Sequence, residues 1–220
     1  MSARGRLVAW TAFVAVFAAL NYASRFTGGS APEDPLYRYG TAVAGVVQYA
    51  IVLGIVLWIA RGTPKREILA LRRPNSWPTA LTLALGIFFA VLALAAVLSP
   101  FLDPGEEQGL VPDRWQPNRA AAFAVNAVVV VIVAPVIEEL TFRGLGFSLL
   151  LTRLARWIAI VVVGIAFAAA HGLVEGLPIL AALGSALAFL RAKTASLYPT
   201  ILLHASFNGF ALLGALLVDT

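Results

Sequence analysis

Seven apolar stretches, at about 7–23, 40–60, 79–99, 120–142, 155–172, 176–191 and 196–218, leave this chain few folds to choose from. A run of roughly 20 apolar residues is what a helix needs to cross a bilayer, and in lipid only helices or closed barrels satisfy every backbone group. Charged residues make up 12% of the chain and mean hydropathy is +0.88, whereas an ordinary soluble domain is roughly 25% charged. A water-soluble fold of 220 residues could not cover its surface with so few polar groups. The expected fold is all-α, a polytopic membrane helix bundle with about seven transmembrane helices.

The charges between the runs orient the bundle. Arg61, Lys65, Arg66, Arg72 and Arg73 crowd the second loop, while Asp103, Glu106, Glu107 and Asp113 dominate the third. Arg153 with Arg156, and Arg191 with Lys193, mark two further basic ends. Together with Arg4 and Arg6 they agree on one topology, in which the N-terminus is cytoplasmic and the acidic loop faces out. The net charge of +5 is thus an orientation signal and not a nucleic-acid surface. The first run resembles a signal peptide, but Asn21-Tyr22-Ala23-Ser24 is a poor cleavage site and more spans follow, so it is read as an uncleaved span. The expected location is a bacterial-type cell membrane. The Pro- and Gly-rich loop at 100–119 divides the chain into residues 1–119, with three plain spans, and residues 120–220, which hold the unusual residues.

Ionisable groups deep in a span are costly and are retained mainly for function or pairing. They gather in one run, Ala134-Pro135-Val136-Ile137-Glu138-Glu139-Leu140-Thr141-Phe142-Arg143-Gly144. Glu139 and Arg143 are four apart, so they share a helix face and can pair. Glu138 lies about 100° round the helix and points elsewhere. Pro135 removes a backbone hydrogen bond just ahead of the carboxylates and should kink the helix there. The two histidines of the chain, His171 and His204, stand in the same half. Phe167 precedes His171 by one turn, and Asn208 follows His204 by one turn on the same face.

Elimination narrows the chemistry. There is no Cys, no His-Glu-x-x-His and no Asp within a run, which excludes thiol catalysis, the usual zinc-protease helix and an aspartyl dyad. Ser148 lacks the second glycine of a nucleophile elbow, and Ser185, Ser196 and Ser206 have no recognisable catalytic context. What survives is water activated by Glu and His, directly or through a metal. One carboxylate and two imidazoles suit zinc, so a zinc metalloprotease with Glu138 or Glu139, His171 and His204 as ligands stands as an alternative. A non-catalytic membrane scaffold or immunity protein is another.

At these residues the sequence resembles the CPBP family, the membrane proteases related to the Rce1-type CAAX protease and to bacterial Abi proteins. Glu138-Glu139-Leu140-Thr141-Phe142-Arg143 matches the family's Glu-Glu-x-x-x-Arg, Phe167 to His171 matches Phe-x-x-x-His, and His204 to Asn208 matches His-x-x-x-Asn. Thr194-Ala195-Ser196-Leu197 stands where the family often has Thr-Gly-Ser-Leu. The resemblance covers roughly 120–210. It implies an intramembrane endopeptidase without a cofactor, acting on a membrane protein, a lipidated protein or a peptide. It further implies that Glu138 is the general base on a water also held by His171. His204 and Asn208 would donate to the oxyanion, and Glu139 with Arg143 would brace the site. On the charge-derived topology His204 lies about 12 Å and His171 about 21 Å from the cytoplasmic end, at 1.5 Å per residue. The two can meet only if helices tilt, break or start deeper, with Gly164, Gly172, Gly176 and Gly184 as sites for breaks or close packing. A cavity between the midplane and the cytoplasmic side is expected.

Overall fold

The computed structural model of the chain describes residues 1–26, 34–102, 107 and 115–217, with no side-chain detail at 215–217. Asp103, Glu106, Asp113 and Arg114 of the third loop lie outside the described residues. Seven long helices stand at the seven apolar runs: α1 Ala3–Ser24, α2 Tyr39–Ile59, α3 Trp77–Leu98, α4 Pro117–Leu150, α5 Arg156–Ala170, α6 Leu177–Thr194 and α7 Tyr198–Leu217. No strand occurs among the described residues. Five of them, α1 to α4 and α6, are long and apolar enough to cross a membrane, and α5 is apolar but has 15 residues.

Local chemistry explains the helix starts. Ser2 caps α1 by accepting from the Gly5 N–H at 3.1 Å, and Ser76 caps α3 by accepting from Thr79. Such caps satisfy N–H groups that have no partner within the helix. α6 ends at Ala195, whose φ of 54° is left-handed. Glycine adopts that backbone without the steric cost an alanine bears.

α4 is the spine of the bundle and is irregular along its length. α-Helix at Ala120–Val128 gives way to π-helix at Val129–Val133, then α-helix at Ala134–Glu139, π-helix again at Leu140–Gly146, and a last α turn. In the π register each N–H bonds five residues back, as Ala134 does to Val129 O. Pro135 has no N–H to give, so the carbonyl of Val130 is left over. Asn208 of α7 supplies the missing donor, Nδ2 to Val130 O at 2.8 Å. The disturbance expected from Pro135 is thus present as a change of helical register.

The core forms around α4. Trp10 of α1 is buried, donates Nε1–H to Thr141 O at 2.9 Å, and occupies space that a Cβ on Gly146 would need. α5 and α6 cross at Gly164 and Gly184, where a Cβ on Gly184 would fall 2.8 Å from Gly164 O and one on Gly164 would overlap Ser185. This is the small-residue contact by which membrane helices approach closely. Near the far end of α4, Asn126 is buried and its amide reaches the carbonyls of Leu36, Arg38 and Ala122, holding the start of α2 against α4.

Candidate active site

Glu139 and Arg143 form the ion pair their spacing predicts. Nη1 lies 2.8 Å from Oε1, and both side chains are fully buried. Arg143 also donates to Gly184 O at 2.9 Å and stacks over the Phe167 ring at 4.2 Å, so one guanidinium ties α4 to α5 and α6. His204 completes this layer, with Nδ1 at 3.0 Å from the same Glu139 oxygen.

Glu138, one residue round the helix, faces the other way. Its Oε1 accepts a hydrogen bond from the Tyr49 hydroxyl at 2.7 Å. Its Oε2 faces His204 Nε2 at 3.7 Å and His171 Nε2 at 4.0 Å. These two gaps are too long for direct hydrogen bonds, and they are the separation at which a single water bridges polar groups.

The second nitrogen of each ring assigns the tautomer. His171 Nδ1 lies 2.8 Å from Phe167 O, a carbonyl that only accepts, so Nδ1 carries the proton. His204 Nδ1 faces a carboxylate that is paired with arginine, which calls for the same assignment. Both rings therefore present Nε2 to Glu138 as an acceptor when neutral and as a donor when charged.

The end of α5 shows how fully its backbone is accounted for. Its last four carbonyls have no partner within the helix. Phe167 O takes His171 Nδ1, Ala168 O takes the His171 N–H, Ala169 O takes the Gly172 N–H, and Ala170 O takes Asn21 Nδ2 at 2.6 Å. Gly172 has φ +68°, and a Cβ there would come 2.8 Å from Asn21. Tyr22 donates to Leu173 O and Arg25 to Gly172 O. Glu107 accepts from the N–H groups of Val174, Glu175 and Gly176 at 2.7–3.0 Å and pairs with Arg25 at 2.6 Å. Burial works to raise the Glu107 pKa, but those N–H groups and Arg25 outweigh it and hold the carboxyl below the usual carboxylate range. The turn that carries His171 is thus gripped from α1 and from the loop before α4.

His171 and His204 meet because α7 starts deep. Ser196, Leu197 and Thr200 are fully buried, and the segment before α3 runs beneath them. Leu197 N–H donates to Ala70 O, Ser196 Oγ to Arg72 O, and Arg72 Nε to Ala195 O. The Phe167 ring fills the space between the two imidazoles, with its centroid 4.6 Å from His171 and 5.5 Å from His204.

Five of the six residues singled out in the sequence therefore converge: Glu138, Glu139, Arg143, His171 and His204. Asn208 shares the His204 face but commits one amide N–H to Val130 O, and no hydrogen bond joins it to the other five. Among the described residues no group of three His, Asp or Glu side chains is arranged to hold a metal ion. Tyr49 is the residue that sequence reasoning missed. The available signal was Gln48-Tyr49, which interrupts an otherwise apolar run at 40–60. A cavity of about 190 Å³ reaches Glu138 and His171. Its α1 wall runs from Phe13 to Asn21, the half of that helix farther from Arg4 and Arg6, whereas the charge pattern had suggested the half nearer the basic ends.

Residues 120–210 match the family described as type II CAAX prenyl endopeptidase Rce1-like. The chain is 25% identical over 187 residues to a Bacillus subtilis (strain 168) protein named "Putative membrane peptidase YdiL", covering 84% of this chain and 76% of that protein. No solved structure matches the chain significantly. The matched segment holds all three motifs, and the fold brings their Glu and His residues to one point in a polytopic helical bundle: over residues 120–210 the chain is similar to the Rce1-like CAAX endopeptidases.

Proposed function

We propose that this protein is an intramembrane endopeptidase that hydrolyses a peptide bond of a membrane-embedded or lipidated protein or peptide, using water activated by Glu138. The observation that carries this reading is the convergence of His171 Nε2 and His204 Nε2 on the same oxygen of Glu138, at 4.0 and 3.7 Å. A water between them donates one proton to Glu138 Oε2 and is oriented by His171. Its oxygen attacks the scissile carbonyl carbon as the proton moves to Glu138. The oxyanion accepts from His204, through Nε2–H when that ring carries a second proton, and from the second N–H of Asn208, preorganised donors for the developing charge. Glu138 then returns the proton to the leaving amine as the C–N bond breaks, so one water is consumed and a carboxylic acid and an amine are released, the second water proton staying on the new carboxyl group. Glu139, held by Arg143, orients the His204 ring through Nδ1.

Matched cells expressing wild type or Glu138→Gln provide the test, with membrane-protein termini compared by mass spectrometry. New termini confined to wild type support proteolysis and name substrates. Identical profiles from two folded, abundant proteins favour a non-catalytic scaffold. Turnover by purified protein that survives strong chelators supports direct activation of water. Loss of turnover restored by zinc would instead make Glu138, His171 and His204 metal ligands.

A further inference from the structure

The cavity beside Glu138 carries information about what is cleaved. It lies between α1 and α2, is walled by Phe13, Val14, Phe17, Val52 and Phe142, and is also lined by Glu138 and His171. Gln48 stands at its edge, exposed, one turn from Val52 on the same face of α2. No hydrogen bond engages the Gln48 amide among the described residues. A polar side chain without a partner in a span is costly. A primary amide offers one acceptor and two donors, which complements the C=O and N–H of a peptide backbone. An isoprenoid offers nothing to such a group.

Volume points the same way. A cavity of about 150 Å³ lined by aliphatic and aromatic side chains takes one benzene molecule. The 190 Å³ available here is only slightly more, enough for the side chain of a leucine or phenylalanine. We infer that this cavity is a specificity site for one large apolar side chain of an extended peptide next to the scissile bond. Gln48 pairs with the backbone of that peptide. The inference rests on the peptidase reading for the meaning of "scissile", but the binding preference is measurable without cleavage.

The test uses the full chain carrying Glu138→Gln, in lipid nanodiscs, so that hydrolysis plays no part. Three probes are titrated: a blocked pentapeptide of alanines, the same peptide with a central phenylalanine, and farnesyl-cysteine methyl ester. Burying one phenyl ring should make the phenylalanine peptide bind roughly tenfold or more tightly than the alanine peptide, and more tightly than the farnesyl probe. Filling the cavity with Val14→Phe, or separately with Val52→Phe, should erase that preference. Gln48→Leu should weaken both peptides and leave the farnesyl probe unchanged. Equal affinity for the two peptides, tighter binding of the farnesyl probe, or no binding of any probe would each overturn the inference. A wild-type protein that never cleaves, with the phenylalanine preference intact, would instead count against the peptidase reading alone.

Discussion

Replacing Arg143 by methionine tests whether the Glu139–Arg143–His204 layer holds the bundle together. In the wild type both charges are fully buried at 2.8 Å, and the guanidinium also satisfies Gly184 O and covers Phe167. Arg143→Met leaves Glu139 as a buried carboxylate with His204 alone beside it, and leaves the Gly184 carbonyl without its donor. Breaking a buried pair by removing one partner costs about 3–5 kcal/mol, and that figure already contains the lost hydrogen bond and ring contact. Glu139→Leu should cost a similar amount by stranding Arg143. The double variant should lie within about 2 kcal/mol of wild type, because replacing both charges by apolar groups removes both desolvation penalties. The singles would then be strongly non-additive, as expected of groups in direct contact. Reversible unfolding in mixed micelles gives the four free energies. Turnover gives a second reading, since the double variant lacks the acceptor that orients His204 and should remain inactive although stable. A single-variant loss below about 1 kcal/mol, or additive singles, would refute the argument.

Tyr49→Phe removes a hydrogen bond to a charged group worth about 1.5–3 kcal/mol. It should lower kcat roughly tenfold to one-hundredfold, with KM and thermal midpoint little changed; an unaltered kcat would show that the hydroxyl does not orient Glu138. The clamp on the His171 turn should be sensitive to acid. The Glu107 pKa is depressed in the fold, so its contribution is complete above the ordinary carboxylate pKa and is lost as pH falls through the folded value. Thermal midpoints measured from neutral pH downward should drop more steeply for wild type than for Glu107→Gln, and parallel curves would count against the clamp.

Much of this molecule was legible in the sequence. The apolar runs predicted all seven long helices, since helix length in lipid is set by bilayer thickness and backbone satisfaction, both properties of local composition. The four-residue spacing of Glu139 and Arg143 predicted their pairing, and the 100° offset predicted that Glu138 would face another way. The three motifs named five residues that the fold brings together. Other features depend on contacts that no local pattern encodes. Asn208 donates to Val130 O because a proline in a different helix left that carbonyl over in a π register. Tyr49 reaches Glu138 because Asn126 fixes where α2 begins. Burial of Ser196 and Leu197 sets the depth of His204, which counting from the basic loop could not locate. Composition and spacing determined which side chains were too costly to bury without purpose. The packing of α1, α2 and α7 on α4 decided which partner each one found, because backbone groups in lipid must be satisfied by whatever donor the tertiary fold brings within reach.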